Sequence, residues 1–345
     1  MLFSLMGMAL SLTLLALTNP QNHPWLLAFS LLSLSSFTGC LYMVGLAYEL
    51  ESIEENYYSI GSASVITGYR VGLLCAGAGS LSLAYLTNWS LAYGTMAVLL
   101  GLVIAVILIR PEPYQSLETL QKKRASFAHH SSFFYGFWQE IILEPCKSFF
   151  QKHDFRSIVA IVLLFKAGDH LTKSMEGPFY IDIGFDKADL AIASKTWGFA
   201  TTILGTLLAG IVLKNRSALY GVALVGLLHA CSLLGLWLQA VVGKSYLVLY
   251  ASVTLSNFTS GMAMTAFIFF LWRSCTKYHA AIQYALLYSL FTLKVNLLSC
   301  LGGLLAAHNS WSSFFGTVCL LGLLAALAIL TLALSTIRRP SEIIP

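Results

Sequence analysis

Ser157-Ile-Val-Ala-Ile-Val-Leu-Leu-Phe-Lys166-Ala-Gly-Asp169-His-Leu-Thr-Lys173-Ser-Met-Glu176-Gly-Pro-Phe-Tyr-Ile181 is the stretch on which the fold turns. It opens as an apolar run and then carries four ionisable residues, Lys166, Asp169, Lys173 and Glu176. Read as one helix crossing a bilayer, these sit at i, i+3, i+7 and i+10, within an arc of ~80°. Each charge in hydrocarbon costs ~2.5–3.5 kcal/mol on insertion scales, so a lipid-facing stripe of four is untenable. The stripe is expected to face a protein interior or a watery cavity, which points to a solute pathway rather than to a simple anchor.

The rest of the chain fits a membrane setting. Of its 345 residues 57% are hydrophobic and 10% charged, with a mean hydropathy of +0.76. A soluble globular chain carries about 25% charged residues, so this composition indicates a polytopic membrane protein. The net charge of +5 is scattered among loops and gives no basis for nucleic-acid binding. The seven cysteines mostly lie inside apolar runs without metal-ligand spacing and read as small buried hydrophobes. No Lys or Arg precedes Arg70, so the apolar start Met1–Leu17 lacks the basic region of a signal peptide and reads as a membrane helix. Walker, H-E-x-x-H and G-x-S-x-G motifs are missing from the sequence; neither an enzyme nor a metal or other cofactor is expected.

Runs of about 20 apolar residues give ten candidate transmembrane helices. Four form a first block: Met1–Leu17, Pro24–Tyr48, Ser62–Leu86 and Leu91–Ile109. Six form a second: Ser157–Ile181, Ala188–Leu213, Ala218–Val242, Tyr246–Trp272, Ala280–Ala306 and Ser312–Thr336. The expected organisation is an N-terminal bundle over 1–110, a linker over 111–156, a six-helix bundle over 157–337 and a tail over 338–345. The linker holds Lys122-Lys123-Arg124 and the aromatic cluster Phe133-Phe-Tyr-Gly-Phe-Trp138, suited to an interfacial helix. With the linker in the cytoplasm, Lys214, Arg216, Arg273, Lys277, Arg338 and Arg339 fall on the same side, leaving only Lys187 and Lys244 opposite. The positive-inside rule thus places both termini in the cytoplasm. Six plus six helices around a long cytoplasmic loop is the major facilitator layout. Four plus six suggests a chain whose first half lacks two helices.

Beyond the stripe, Arg70 lies in the third segment beside Tyr69, and Lys195 and Lys294 lie mid-helix in the sixth and ninth. For each basic residue alone, pairing with a backbone carbonyl and contact with a solute are both open. Together with Lys166 and Lys173 against Asp169 and Glu176, they give a cationic balance that suits an anionic solute. Asp169, Glu176 and His170 are candidates for proton coupling, whereas His229 and His308 read as incidental. Asn257, Gln283 and Tyr284 are polar groups that could hydrogen-bond a sugar or peptide, or serve as bundle glue.

In order along the chain, several strings resemble the AmpG-like muropeptide permeases of the major facilitator superfamily. They are Gly68-Tyr-Arg-Val-Gly-Leu73, Ala92-Tyr-Gly-Thr-Met-Ala97, Phe165-Lys-Ala-Gly-Asp169, Gly177-Pro-Phe179, Gly184-Phe185, Lys195, Asn257-Phe-Thr-Ser-Gly-Met262 and Gln283-Tyr-Ala-Leu-Leu287. The acetyl-CoA transporter branch is the neighbouring similar family. The resemblance implies an inner-membrane carrier importing anhydro-muropeptides on the proton gradient. It implies that Arg70, Lys166, Asp169, Lys195 and Gln283 belong to the central pathway. It begins at the family's third helix, and the family's paired aspartates, four apart and followed by Ala-Tyr-Arg, are replaced here by Tyr42-Met-Val-Gly-Leu46-Ala-Tyr-Glu49. Two other readings stay open: a non-transporting remnant that needs a partner over its N-terminal half, and a carrier for another anionic solute such as acetyl-CoA.

Overall fold

In hydrocarbon a segment must satisfy its backbone polar groups internally, and an apolar run of about 20 residues does so as a helix. The computed structural model describes residues 1–18, 23–109, 138–276 and 279–337, and every regular element among them is helical. Lys122-Lys123-Arg124, the aromatic residues 133–137, Lys277 and the tail with Arg338 and Arg339 lie outside the described residues. Helices α1 (Leu2–Leu17), α2 (Pro24–Ser52), α3 (Tyr58–Leu74), α4 (Ser80–Leu86) and α5 (Trp89–Ile109) are followed by α6 (Glu144–Phe150). The remainder comprises α7 (Phe155–Leu164), α8 (Ala167–Thr172), α9 (Glu176–Asp182), α10 (Lys187–Leu190), α11 (Gly198–Val212), α12 (Ala218–Ser232), α13 (Leu234–Val242), α14 (Tyr246–Ser274), α15 (Ala280–Ala307) and α16 (Trp311–Ile337). Among the described residues, 7 helical stretches are long and apolar enough to span a membrane; Leu2–Leu17 is shorter.

Four of the ten expected segments are not plain single α-helices; of these, Ala188–Leu213 passes through a π turn at Ala191–Trp197 and Ala218–Val242 divides at Leu233 into α12 and α13. Tyr58–Leu86 stays helical but passes through a π turn at Cys75–Gly79, where Cys-Ala-Gly-Ala-Gly offers little side-chain bulk against the wider backbone. The segment expected as one helix over 157–181 is three pieces, α7, α8 and α9. Pro178 accounts for the second break. In an unbroken helix its ring would strike the carbonyl of Ser174, so the helix restarts at Glu176 with the proline in its first turn. At the first break Lys166 takes a left-handed backbone (φ 56°), the only non-glycine residue at positive φ among those described. Four charges on one continuous stripe are therefore not what forms.

The chain divides into two compact units. One holds Met1–Ile53, Gly68–Pro145 and Lys277–Ile282; in it α1 packs on α2 and α5, and Asn88 caps α5 by accepting the Leu91 N–H at 2.8 Å. The other holds Glu54–Thr67, Cys146–Thr276 and Gln283–Pro345. There the start of α3 is tied down by an Arg273–Glu55 ion pair (2.9 Å) and an edge-on Tyr58–Trp272 contact. Lys152 donates to the Ser274 carbonyl at the end of α14 (2.6 Å), and partial burial holds its ammonium below the usual lysine range.

Lipid tails are as apolar as leucine, so helices in a bilayer associate through close packing rather than through hydrophobic exclusion. The close crossing of α11 on α14 depends on Gly205 and Gly261. A Cβ at Gly261 would overlap the Thr202 carbonyl oxygen, and one at Gly205 the Phe258 carbonyl oxygen. Gly261→Val is expected to destabilise this unit by about 1–3 kcal/mol, as overpacking does. The fraction of monodisperse protein after heating in detergent measures this. Gly303→Val, where the nearest neighbour is the flexible end of Met175 at 3.6 Å, serves as the tolerant control.

Candidate functional site

The break between α7 and α8 gathers the buried charges of the larger unit. Ending α7 at Leu164 leaves carbonyls without intrahelical donors. Lys294 of α15 supplies donors: its ammonium lies 2.6 Å from the Phe165 oxygen, 3.4 Å from that of Val162, and 4.5 Å from the centre of the Phe291 ring. The Phe165 ring stacks in parallel on Phe267 (4.6 Å), fixing the residue just before the left-handed turn.

From that turn Lys166 reaches Asp169 of α8, with Nζ 2.9 Å from Oδ2, and donates to the Ser260 hydroxyl of α14 at 2.8 Å. The two paired side chains are 4% and 11% exposed, so this ion pair is held out of bulk solvent. The other carboxylate oxygen, Oδ1, faces Nε2 of His229 on α12 at 3.2 Å, and no hydrogen bond is formed between them in this state. The His229 Nδ1 lies 2.9 Å from the Thr259 hydroxyl. Gly168 lets α8 come this close to α16, since a Cβ there would meet Leu233 and the Gly322 backbone. A cavity of about 10 Å³, room for a single water, is lined by Lys166, Asp169 and His229 among largely apolar neighbours.

The remaining expected residues are dispersed. Lys173 is exposed at the second break, and Glu176 is half-buried at the start of α9, 3.5 Å from the Thr172 hydroxyl. Lys195 is exposed on the π turn Ala191–Trp197. Asn257 bridges α14 to α11, donating to the Val253 carbonyl (2.9 Å) and accepting from Thr202 (3.3 Å). Gln283 is fully buried in the first turn of α15: it accepts from the Thr276 N–H (2.8 Å) and hydroxyl (2.9 Å) and donates to Ser148 on α6 (3.1 Å). Tyr69 and Arg70 belong to the smaller unit, the first exposed, the second half-buried with its Nε buried and without a hydrogen-bond partner. His229, Thr259 and Ser260 join the charged cluster without having been expected there. Only the string Asn257–Met262 pointed towards the last two.

No family model matches the chain. Over 311 residues, 89% of this chain, it is 28% identical to the AmpG 4 protein of Rickettsia conorii and covers 72% of that relative. It is also 28% identical over 271 residues to the anhydromuropeptide permease of Escherichia coli K12, spanning about half (52%) of that protein's length. Among solved structures, the proton:xylose symporter XylE superposes with a TM-score of 0.68 at 13% identity, covering 96% of this chain and 79% of that one. The last likeness concerns the fold, and the first two concern the sequence. Taken together, they show an all-α polytopic membrane protein with the major facilitator fold, similar in sequence to AmpG-named transporters.

Proposed function

We propose that this chain is a secondary active transporter of the bacterial inner membrane that imports anhydro-muropeptides together with protons. The observation that carries the proposal is the buried Lys166–Asp169 pair at a broken membrane helix, with Lys294 holding the break open. Discontinuous helices in carriers expose backbone groups and charge where solute and coupling ion bind, and buried intramembrane charges mark such paths. The similarity to AmpG-named proteins supports the choice of cargo, an anionic sugar-peptide. In this reading Lys166, Lys173, Lys195, Lys294, Arg70 and Tyr69 attract and guide the anion, while Asn257 and Gln283 hold the pathway helices in register. Asp169 and Glu176 carry the proton. Both termini face the cytoplasm.

Uptake of labelled anhydro-muropeptide into proteoliposomes under an imposed inward proton gradient tests this. Accumulation that a protonophore abolishes is expected. Absence of any gradient-dependent signal from well-folded protein would sink the proposal in favour of a non-transporting relative of the same fold. The cationic balance also fits other anionic solutes. Competition with unlabelled muropeptide and with acetyl-CoA separates them, since only the true cargo suppresses uptake at low concentration.

A further inference from the structure

The contacts around His229 favour one placement of its ring hydrogen. The Thr259 hydroxyl has one proton, and its closest acceptor is a backbone oxygen: Oγ1 is 2.7 Å from the Leu255 carbonyl and 3.2 Å from that of Ser256. With that proton given to the Leu255 carbonyl, Thr259 accepts from His229 Nδ1, 2.9 Å away. Ser232, 3.5 Å from the same nitrogen, gives its proton to the His229 carbonyl at 2.7 Å. In that arrangement no donor faces Nδ1, and it carries the ring hydrogen. In a neutral imidazole of that tautomer Nε2 is a bare lone pair, yet it faces Asp169 Oδ1 at 3.2 Å. Two acceptors opposed at that distance, in a site where His229 is 1% exposed, repel each other with little water to screen them. One added proton turns the repulsion into a charge-assisted hydrogen bond.

We infer that the coupling proton is held between His229 Nε2 and Asp169 Oδ1. The inference rests on the proton-coupled reading above and adds to it a residue that this reading does not use. The proton enters from water on one side of the membrane, adds to the pair without any bond to carbon forming or breaking, and leaves to water on the other. Lys166 holds the second carboxylate oxygen throughout. The trio Lys166, Asp169 and His229 is neutral without the proton and singly positive with it. Loading the proton thus raises the site's attraction for an anion, which is the sign that symport with an anionic solute requires.

Other groups around the histidine do not compete for this role. From α14 come Thr259 and Ser260, neither of which titrates, and from α12 Ser232. Helix α16 gives the adjoining cavity only Gly322, Ala326 and Ile329, and α7 with its following residue gives Leu164 and Phe165. On the α8 side the charged neighbours are Lys166, Asp169 and, beyond them, Lys173; Lys294 of α15 is engaged with carbonyl oxygens.

Nitrogen-15 NMR of histidine-labelled protein in lipid nanodiscs tests the inference without transport. His229→Gln identifies the signal, and Asp169→Asn removes the partner. In the unmodified protein the Nε2 shift is expected to be that of a protonated nitrogen over part of a pH series, and in Asp169→Asn that of a bare nitrogen throughout. A bare Nε2 at every pH in the unmodified protein would overturn it. If His229→Gln does not fold, the difference between wild type and Asp169→Asn decides alone. In proteoliposomes, His229→Gln is expected to lower the ratio of gradient-driven accumulation to equilibrative exchange at least tenfold; an unaltered ratio speaks against the inference. A protonated Nε2 in a protein that moves no solute would leave the proton site standing and defeat the transport reading instead.

Discussion

Lys166→Ala is expected to bring gradient-driven uptake down to background while the protein still inserts and purifies as a monodisperse species. Two contacts of Lys166 have different consequences. Its 2.9 Å pair with Asp169 neutralises a buried carboxylate, and its 2.8 Å bond to Ser260 links α8 to α14 across the break. Truncating one member of a buried ion pair typically costs about 3–5 kcal/mol, because the other charge is left uncompensated. Here a second compensating group is already in place. His229 lies 3.2 Å from the free carboxylate oxygen and can take up a proton, so the trio returns to neutrality without the lysine. Folding therefore survives, but the proton becomes a permanent part of the structure and is no longer released. Uptake and size-exclusion behaviour measured on the same preparation check this. Loss of monodisperse protein in parallel with uptake would identify Lys166–Asp169 as a packing ladder and not as part of a pathway. Adding Asp169→Ala to Lys166→Ala sharpens the distinction: a ladder regains stability when both charges are gone, whereas uptake stays absent.

The spans were legible because they rest on a local property. Trp89–Ile109 or Trp311–Ile337 has no plausible home other than a bilayer-length helix, whatever surrounds it. The break before Pro178's turn had a local signal, a proline that cannot sit inside an unbroken helix, but one helix was expected to run through it. The break at Lys166 had none. Neither glycine nor proline marks Phe165-Lys166, and the left-handed lysine is held by groups far away in sequence, Ser260 and Lys294. Periodicity assumes the helix that such contacts interrupt, which is why the charges projected onto one stripe separate into an internal pair and the outlying Lys173 and Glu176. His229 was illegible for the same reason. One histidine in an apolar helix carries no sign of its partners, and its meaning comes from Asp169 on α8 and Thr259 on α14. Gln283 illustrates the converse: a polar residue within a membrane segment, it has its amide satisfied by Thr276 and Ser148 nearby.

Lys294→Met is the second substitution with a large expected effect, and it acts on the geometry of the break rather than on its charge. Methionine keeps the length and the apolar stem of lysine, so packing against Phe291 is largely retained while the donors are lost. The Phe165 carbonyl, 2.6 Å from the ammonium, then has no donor from α15. A hydrogen bond from a charged group to a buried acceptor is worth about 1.5–3 kcal/mol. For a unit of this size that corresponds to a fall of about 4–10 °C in the thermal midpoint, read from tryptophan fluorescence in detergent. The chain can recover the loss in one way, by drawing residues 165 and 166 back into a continuous helix so that each carbonyl finds its i+4 donor. That would carry Lys166 off Asp169 and Ser260, and uptake should drop at least tenfold even at temperatures where the variant is fully folded. Lys294→Arg, which keeps a cation and donors at the same depth, should recover part of the midpoint. An unchanged midpoint in Lys294→Met would mean that the break holds itself open, and that the ammonium at 2.6 Å contributes nothing to the geometry on which the proposed pathway depends.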